Sequence, residues 1–281
     1  MTFLDQLKPQ WSIDELLKTP GRINMLHEGV VTLVGVKRLE SEALFISSEG
    51  GGTLRETAKV TFAGRERYWW LARKVAGVLR RVMLAELTHP PECTVDMPCI
   101  NCAICGLLGG LNPDKDKPKA IASRVKLQDL ISVEEYEYDE KFRIRQPDDP
   151  SAGNPTPFQE VIVPPGTRFP FIVRIVKPSR FDVGALLYAN RLADGLGYGN
   201  YSKLRGDAST QWLAIFDGFA YISAYDLLSQ GDDLNGALNA ALPAPTGPVK
   251  KANTLTGEGL DALVADWTSR KEAWNGESSP R

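Results

Sequence analysis

The sequence predicts an α+β protein carrying an inserted metal-binding lobe and a projecting β-hairpin. Three observations carry this expectation. One stretch, "RERYWWLARKVAGVLRRVMLAEL", places apolar residues at spacings of three and four with cations on another face, the signature of an amphipathic helix. Later stretches alternate apolar and charged residues with period two, as half-exposed strands do. All four cysteines, Cys93, Cys99, Cys102 and Cys105, fall in the single segment "ECTVDMPCINCAICGLLGG".

A chain of 281 residues, 43% hydrophobic and 24% charged, can bury a substantial core as one elaborated domain or two small ones. Its N-terminus has neither the basic flank nor the apolar run of a signal peptide, and nowhere do 18 apolar residues follow one another. A cytoplasmic location and no membrane partner are therefore expected. The formal net charge of -2 argues against a globally basic nucleic-acid binder, yet the charge is partitioned. Residues 55–87 hold Arg55, Lys59, Arg65, Arg67, Arg73, Lys74, Arg80 and Arg81 against Glu56, Glu66 and Glu86, whereas residues 226–281 hold eight acids and five bases. Localised positive charge is what an anion-binding surface requires.

Taken in order, "GRINMLHEGVVTLVGVKRL" reads as a largely buried strand, with His27 structural. The next segment, "ISSEGGGTLRETAKVTFAG", reads as a loop opened by three glycines, carrying Arg55 and Lys59 close to a ligand backbone or simply flexible. In the helix that follows, Trp69, Ala72, Val75, Ala76, Leu79, Val82 and Met83 form the packing stripe. Arg73, Lys74, Arg80 and Arg81 share another face, which is either anion-binding or merely solvated.

The cysteines follow the spacing C-x5-C-x2-C-x2-C. A reducing compartment disfavours disulfides in such a cluster, and four thiolates this close can wrap one ion. Zinc accepts four sulfurs tetrahedrally and leaves no open position, so such a site is structural. An iron–sulfur cluster shares the C-x2-C-x2-C run but lacks the trailing C-x3-C-P here, and reduced, unmetallated thiols are the third possibility. His89 stands near enough in sequence to replace one sulfur, or is a loop residue.

Downstream, "EEYEYDEKFRIRQ" alternates, with Tyr136, Tyr138, Phe142 and Ile144 on one face and Lys141, Arg143 and Arg145 on the other. Its expected partner is "FQEVIVP", across the turn-rich "PDDPSAGNPTP". The chain re-enters a sheet at "VPPGTRFPFIVRIV", and a second helix follows at "SRFDVGALLYANRLADGLG". The loop "GLGYGNYSKLRGDA" lacks the context of a dinucleotide or NTP-binding motif. It interleaves Tyr198 and Tyr201 with Lys203 and Arg205, a mixture of stacking faces and cations suited to single-stranded nucleic acid, or it is a plain helix-terminating loop. "QWLAIFDGFAYISAYDLL" supplies a further strand and turn.

This order of strand, glycine-bearing basic loop, basic helix, cysteine insertion, hairpin ending in "VPPGTRF", second helix and "GLGYGNYSKLRG" resembles the RAMP superfamily of CRISPR proteins. Within it the chain is similar to the Cas-seven family, and most to the backbone subunit of the type I-D Cascade complex. The resemblance spans residues 20–225, and nothing in 226–281 matches. It implies a ferredoxin-like (RRM-like) palm over residues 1–225, with a zinc-binding lobe at 88–125, a thumb hairpin at 134–163, and a C-terminal helical extension or tail at 226–281. It implies structural Zn2+ on the four cysteines. The implied partners are crRNA, target nucleic acid, copies of the chain in a helical filament and other Cascade subunits, all in antiviral defence. Arg55, Lys59, Arg73, Lys74, Arg80, Arg81, Arg143, Arg145, Lys203 and Arg205 would meet RNA, with Tyr198 or Tyr201 stacking on bases. Related type III subunits cut RNA with an aspartate after the first strand. Residues 38–62 here contain Glu40, Glu42, Glu49 and Glu56 but no aspartate, so an RNA-binding structural subunit is expected ahead of a ribonuclease, and a stand-alone zinc scaffold is the third reading.

Overall fold

The computed structural model describes residues 2–18, 29–46, 54–113, 119–145, 156–199, 205–229, 231, 233–241 and 254–270. After a 3-10 turn at Phe3–Gln6, the chain forms α1 (Ile13–Leu17), β1 (Val30–Leu39), β2 (Leu54–Glu56), β3 (Lys59–Phe62), β4 (Arg65–Trp70), α2 (Ala72–Glu86) and α3 (Ala103–Leu108). It continues through β5 (Gly110–Asn112), β6 (Lys119–Ile121), β7 (Val125–Leu127), β8 (Leu130–Glu135), β9 (Glu140–Arg145), β10 (Thr156–Val161) and β11 (Arg168–Val176). The last elements are α4 (Arg180–Leu196), β12 (Ala208–Asp217), α5 (Ala224–Ser229), α6 (Leu234–Ala241), β13 (Thr254–Thr256) and α7 (Glu258–Ser269).

The central sheet has the order β13-β12-β1-β11-β7, and every neighbouring pair in it is antiparallel. Read as β1–α2–β7 followed by β11–α4–β12, with strand order 4-1-3-2 and β13 added at one edge, this is the ferredoxin-like palm expected. β1 lies in the middle because both of its faces are apolar: Leu33 sits between Val173 and Ile215 in register. One face of the sheet packs under α2 and α4, where Val75, Leu79, Val82, Met83, Phe181 and Leu186 join Val31, Leu33, Val173 and Ile215 in one core. Each such side chain removed from water stabilises the fold by roughly 1.5–3 kcal/mol. The other face is covered too: Val34, Ile172, Ala214 and Phe216 lie against residues of β8, α5 and α6, among them Ile131, Leu227, Leu234 and Leu238. An RRM-like sheet that reads RNA leaves that face open; here apolar burial closes it.

Buried Arg124 ties the layers together. Its guanidinium makes a bidentate pair with Asp182 in the first turn of α4, at 2.6 Å for each bond, while Nε donates to the Gly106 carbonyl of α3. α7 packs on α4 and β12, with Leu260, Leu263 and Trp267 in the main core.

Three sequence expectations are corrected. Residues 65–70 are the strand β4, not the start of the helix. The two-residue turn Ala63–Gly64, with φ of 51° and 77°, has the positive φ at both positions that a tight hairpin demands, and it pairs β4 with β3. Tyr68 and Trp70 are then buried by period-two alternation, and the Asp129 carboxylate accepts from Trp69 Nε1 and from the Ala72 backbone, so the helix begins only there. The basic "loop" contains two strands, β2 and β3; its triple glycine lies outside the described residues. Finally, the alternating stretch at 134–145 is broken. β8 ends at Glu135 and pairs with β4, β9 starts at Glu140, and Tyr136 and Tyr138 lie in the connection between them.

β9 pairs with β10 from Glu140↔Val161 to Arg145↔Thr156, and β2 adds in parallel to the outer side of β10. Most of the turn "PDDPSAGNPTP" lies outside the described residues. Phe142 of β9 is 76% exposed, so this side chain belongs to no core.

Candidate metal centre and basic surface

The spacing of the cysteines brings their sulfurs together through local turns. Residues 93–102 wind back on themselves, with Ile100 at φ 62°, and Cys102 caps α3, so that Cys105 falls on its first turn. All four sulfurs lie within 4.8 Å of one another. Cys93 Sγ stands 3.7 Å from Cys102 Sγ and 3.6 Å from Cys105 Sγ. A disulfide requires about 2.05 Å, whereas sulfurs at about 2.3 Å from a central zinc sit about 3.8 Å apart at the corners of a tetrahedron. Backbone N–H groups of Cys99, Asn101 and Cys105 donate to Cys93, Cys99 and Cys102 sulfurs at 3.4–3.5 Å, contacts that favour thiolates over thiols.

Hydrogen bonds with Cys102, then with the Ile100 backbone and Cys93, and least with Arg80, lower the Cys105 thiol to about 5 against the opposing effect of burial. The hydrogen bond to Cys105, with burial, pushes Cys102 far up, and burial raises Cys93 to about 11. The donor set of four converging, largely buried soft sulfurs fits a closed metal site with no position for a substrate. His89 is not among the converging ligand atoms; its Nδ1 hydrogen-bonds the Leu87 carbonyl. Nor is the lobe isolated. Ile100, Ile104, Leu107 and Ile121 are continuous with the main core, and Gly106 abuts Ile13 and Leu16 of α1.

The basic surface is narrower than the sequence implies. Arg67 is buried and donates to the Ser132 and Val133 carbonyls. Arg65 pairs with Glu135. Lys59 pairs with Glu66 at 3.2 Å and Glu56 at 3.4 Å and stands over the Tyr136 ring. Arg80 turns inward to the Gly109 carbonyl. Arg73 and Arg81 are exposed on α2 and Lys74 is half-buried beside them, while Arg55 is half-buried on β2 opposite Glu160. Arg143 and Arg145 lie on β9, their side chains outside the described residues, as Tyr201 and Lys203 are altogether. Arg205 is exposed, with Nη2 on the Gly195 carbonyl at 3.2 Å and Nε 3.5 Å from Asp207.

Tyr198 is a correction. It is buried against Trp70, edge to face at 4.7 Å, and its hydroxyl donates to Asp194 at 2.9 Å. It therefore offers no face to a base. The neck of the glycine loop is closed by Tyr198 N donating to the Gly206 carbonyl. Gly197, at φ 83°, lies so close to the Arg205 carbonyl that a Cβ would overlap it.

Beneath this neck lies a group the sequence reading missed. Lys37 is fully buried on β1, its Nζ 2.6 Å from Asp194 Oδ1, 2.7 Å from Asn190 Oδ1, 2.8 Å from Thr210 Oγ1 and 3.0 Å from the Tyr198 hydroxyl. Burial lowers its pKa, and the Asp194 carboxylate opposes that shift. The available signal was parity: Lys37 shares a face of β1 with Val31, Leu33 and Leu39, all in the core. Of the glutamates weighed for cleavage, Glu40 accepts from Ser209, Glu42 pairs with Lys141, and Glu56 accepts from Tyr136; Glu49 is outside the described residues. No helix among the described residues is long and apolar enough to cross a membrane.

No protein-family model matches the chain, and no curated protein matches it in sequence. Among solved structures it is similar to Csc2 of Thermofilum pendens, at 17% identity, covering 97% of this chain and 91% of that one with a TM-score of 0.57. Looser likenesses are to the Csm3–Csm4 subcomplex of a type III-A CRISPR-Cas interference complex (16% identity, 86% and 96% covered, TM-score 0.42) and to the type III-B Cmr-beta complex bound to cognate target RNA (12%, 72% and 69%, 0.44).

Proposed function

We propose that the chain is a backbone subunit of a type I CRISPR effector complex, of the type I-D kind, which binds crRNA in the cytoplasm and lines up with copies of itself and other Cascade subunits to present the guide to target nucleic acid. The observation that carries this reading is the likeness to Csc2, which extends over nearly the whole chain and so takes in the palm, the cysteine lobe and the hairpin together. The motif resemblance in the hairpin and the glycine loop supports it independently. In this reading the covered sheet face excludes RNA, and phosphates are met by the α2 surface and the glycine-loop side. The stem of β9 and β10 serves as the thumb, and Zn2+ on the four cysteines is structural. The subunit holds RNA and does not cleave it. Sequencing the RNA that co-purifies from cells tests this directly: a uniform repeat-derived species is expected, and heterogeneous cellular RNA or none would sink it.

Two outcomes follow for variants. Arg73→Glu with Arg81→Glu should weaken RNA binding across sequences and flatten its salt dependence, by about 0.7 in log–log slope for each phosphate of a single strand that is no longer neutralised. An unchanged slope would return this face to ordinary solvated surface. Replacing residues 147–157 with an Asn-Gly turn should leave the palm stable while abolishing evenly spaced base reactivity along the guide. Uniform protection in the wild type, or an unaltered period in the variant, would remove the thumb assignment.

A further inference from the structure

We infer that Arg80 belongs to the metal centre and not to the RNA-facing surface: its guanidinium is the counter-charge of the four-sulfur site and fastens the lobe to α2. This rests on the cysteines holding a divalent ion, and on no statement about RNA.

Seven residues separate Arg80 from Arg73, so helical periodicity alone puts both on one outer face. The structure separates them. Arg73 is exposed, whereas Arg80 folds toward the lobe and its Nη2 donates to the carbonyl of Gly109, the residue that terminates α3. This bond joins the middle of α2 to the helix that carries Cys105. The other terminal nitrogen, Nη1, is buried and has no hydrogen-bond partner among the described residues. A buried guanidinium nitrogen left so is costly, and an anion is the partner it requires.

The surroundings offer one. The cleft beside Arg80, about 340 Å³, is lined by Arg73, Gly77, Leu108, Ser123, Val125 and their neighbours, with no carboxylate among them. The negative charge on that side belongs to the cysteines: Cys105 lies on α3 one turn before Gly109, whose N–H donates to the Cys105 carbonyl, so its sulfur shares a helix face with the carbonyl that Arg80 holds. Four thiolates around a divalent ion carry a net charge of about -2, and burying that charge without compensation is expensive. A single cation hydrogen-bonded at the edge of the cluster stabilises the loaded site more than the empty one. The orphaned Nη1 is thus accounted for: with the ion present every sulfur is a thiolate, and the guanidinium faces a site of net negative charge. Arg80 is a positioning and charge-compensating residue; the four cysteines remain the ligands. One consequence is mechanical, since loss of the ion reduces the negative charge that holds Arg80 inward and loosens the lobe from α2.

The test compares R80M, R80Q, R80K and R81M in the full-length chain. Zinc affinity is read by competition with a chromophoric chelator, and the thiolate charge-transfer band is read after cobalt substitution. R80M and R80Q should lose about 10–100-fold in zinc affinity, the usual effect of removing an outer partner of a metal ligand, and should shift the cobalt band, with R80K restoring part of both. R81M should change neither. In the zinc-loaded state, R80M should keep the wild-type salt slope for binding a single-stranded RNA oligonucleotide. If R80M and R80Q bind zinc within about twofold of R81M, or if R80M flattens the salt slope as a surface cation would, the inference is overturned while the metal site stands. A wild-type chain that binds neither zinc nor cobalt overturns both.

Discussion

Lys37→Met is expected to cost about 3–5 kcal/mol of stability, the penalty for removing one partner of a buried ion pair. The size of the effect comes from what stays behind. Asp194 is nearly buried, and its second oxygen already accepts from Thr210 at 2.6 Å and Asn190 at 3.3 Å; without the ammonium its charge has no counterpart. Lys37 also joins four parts of the palm at one atom: β1 itself, α4 through Asn190 and Asp194, β12 through Thr210, and the loop neck through Tyr198. The Lys37→Met, Asp194→Leu pair removes both charges and should recover most of the loss, because an apolar pair of similar volume often replaces a buried salt bridge without penalty. Urea unfolding at saturating zinc reads both values. A single variant within about 1 kcal/mol of wild type would show that the network is not a stabilising junction. Hydrogen exchange should report the loss locally as well, with amides of Tyr198, Gly199 and Gly206 losing protection first.

With zinc on the four cysteines, as proposed, its withdrawal is the second large effect. Structural zinc contributes about 10–16 kcal/mol of binding free energy in isolated peptides at neutral pH, but this lobe shares its core with the palm, so only part of that stability depends on the ion. Treatment with a strong chelator, or Cys102→Ser, should lower the melting temperature of the whole chain and abolish amide protection across α3. Ile104 and Leu107 are fully buried in the main core and Gly106 packs against α1, so disorder there reaches Ile13 and Leu16. Zinc should restore the wild type and fail to restore the serine variant. A chain whose melting and exchange are unmoved by chelation, or whose purified form shows iron–sulfur absorption in place of about one zinc, would contradict the assignment.

Much of the fold was legible because it is encoded over short range. The burial of Val75, Leu79, Val82 and Met83 in α2, the helix after Ser179 with its Asp182 capping box, and the apolar runs of β1 and β11 each follow from spacing that a single element imposes on its own residues. The cysteine spacing likewise draws four sulfurs together by local turns. What failed was read with the wrong period or stopped at the surface of one element. Residues 65–70 carry enough aromatic and charged residues to mimic a helix turn, and only pairing with β3 and β8 makes them a strand.

By itself, then, the sequence determined the two long helices and the apolar central strands, where the four thiols converge and where cationic residues concentrate, since these depend on neighbours a few residues away. The tertiary structure alone decided what each long side chain does. Arg73 and Arg80 occupy equivalent positions on one helix, and the lobe beside Arg80 makes it an inward-facing donor; Tyr198 lies in a loop of stacking composition, and Trp70 with Lys37 draws it into the core. A side chain with several rotatable bonds goes where desolvation is best compensated, and the compensating groups come from strands and loops that are distant in sequence and adjacent only in the fold.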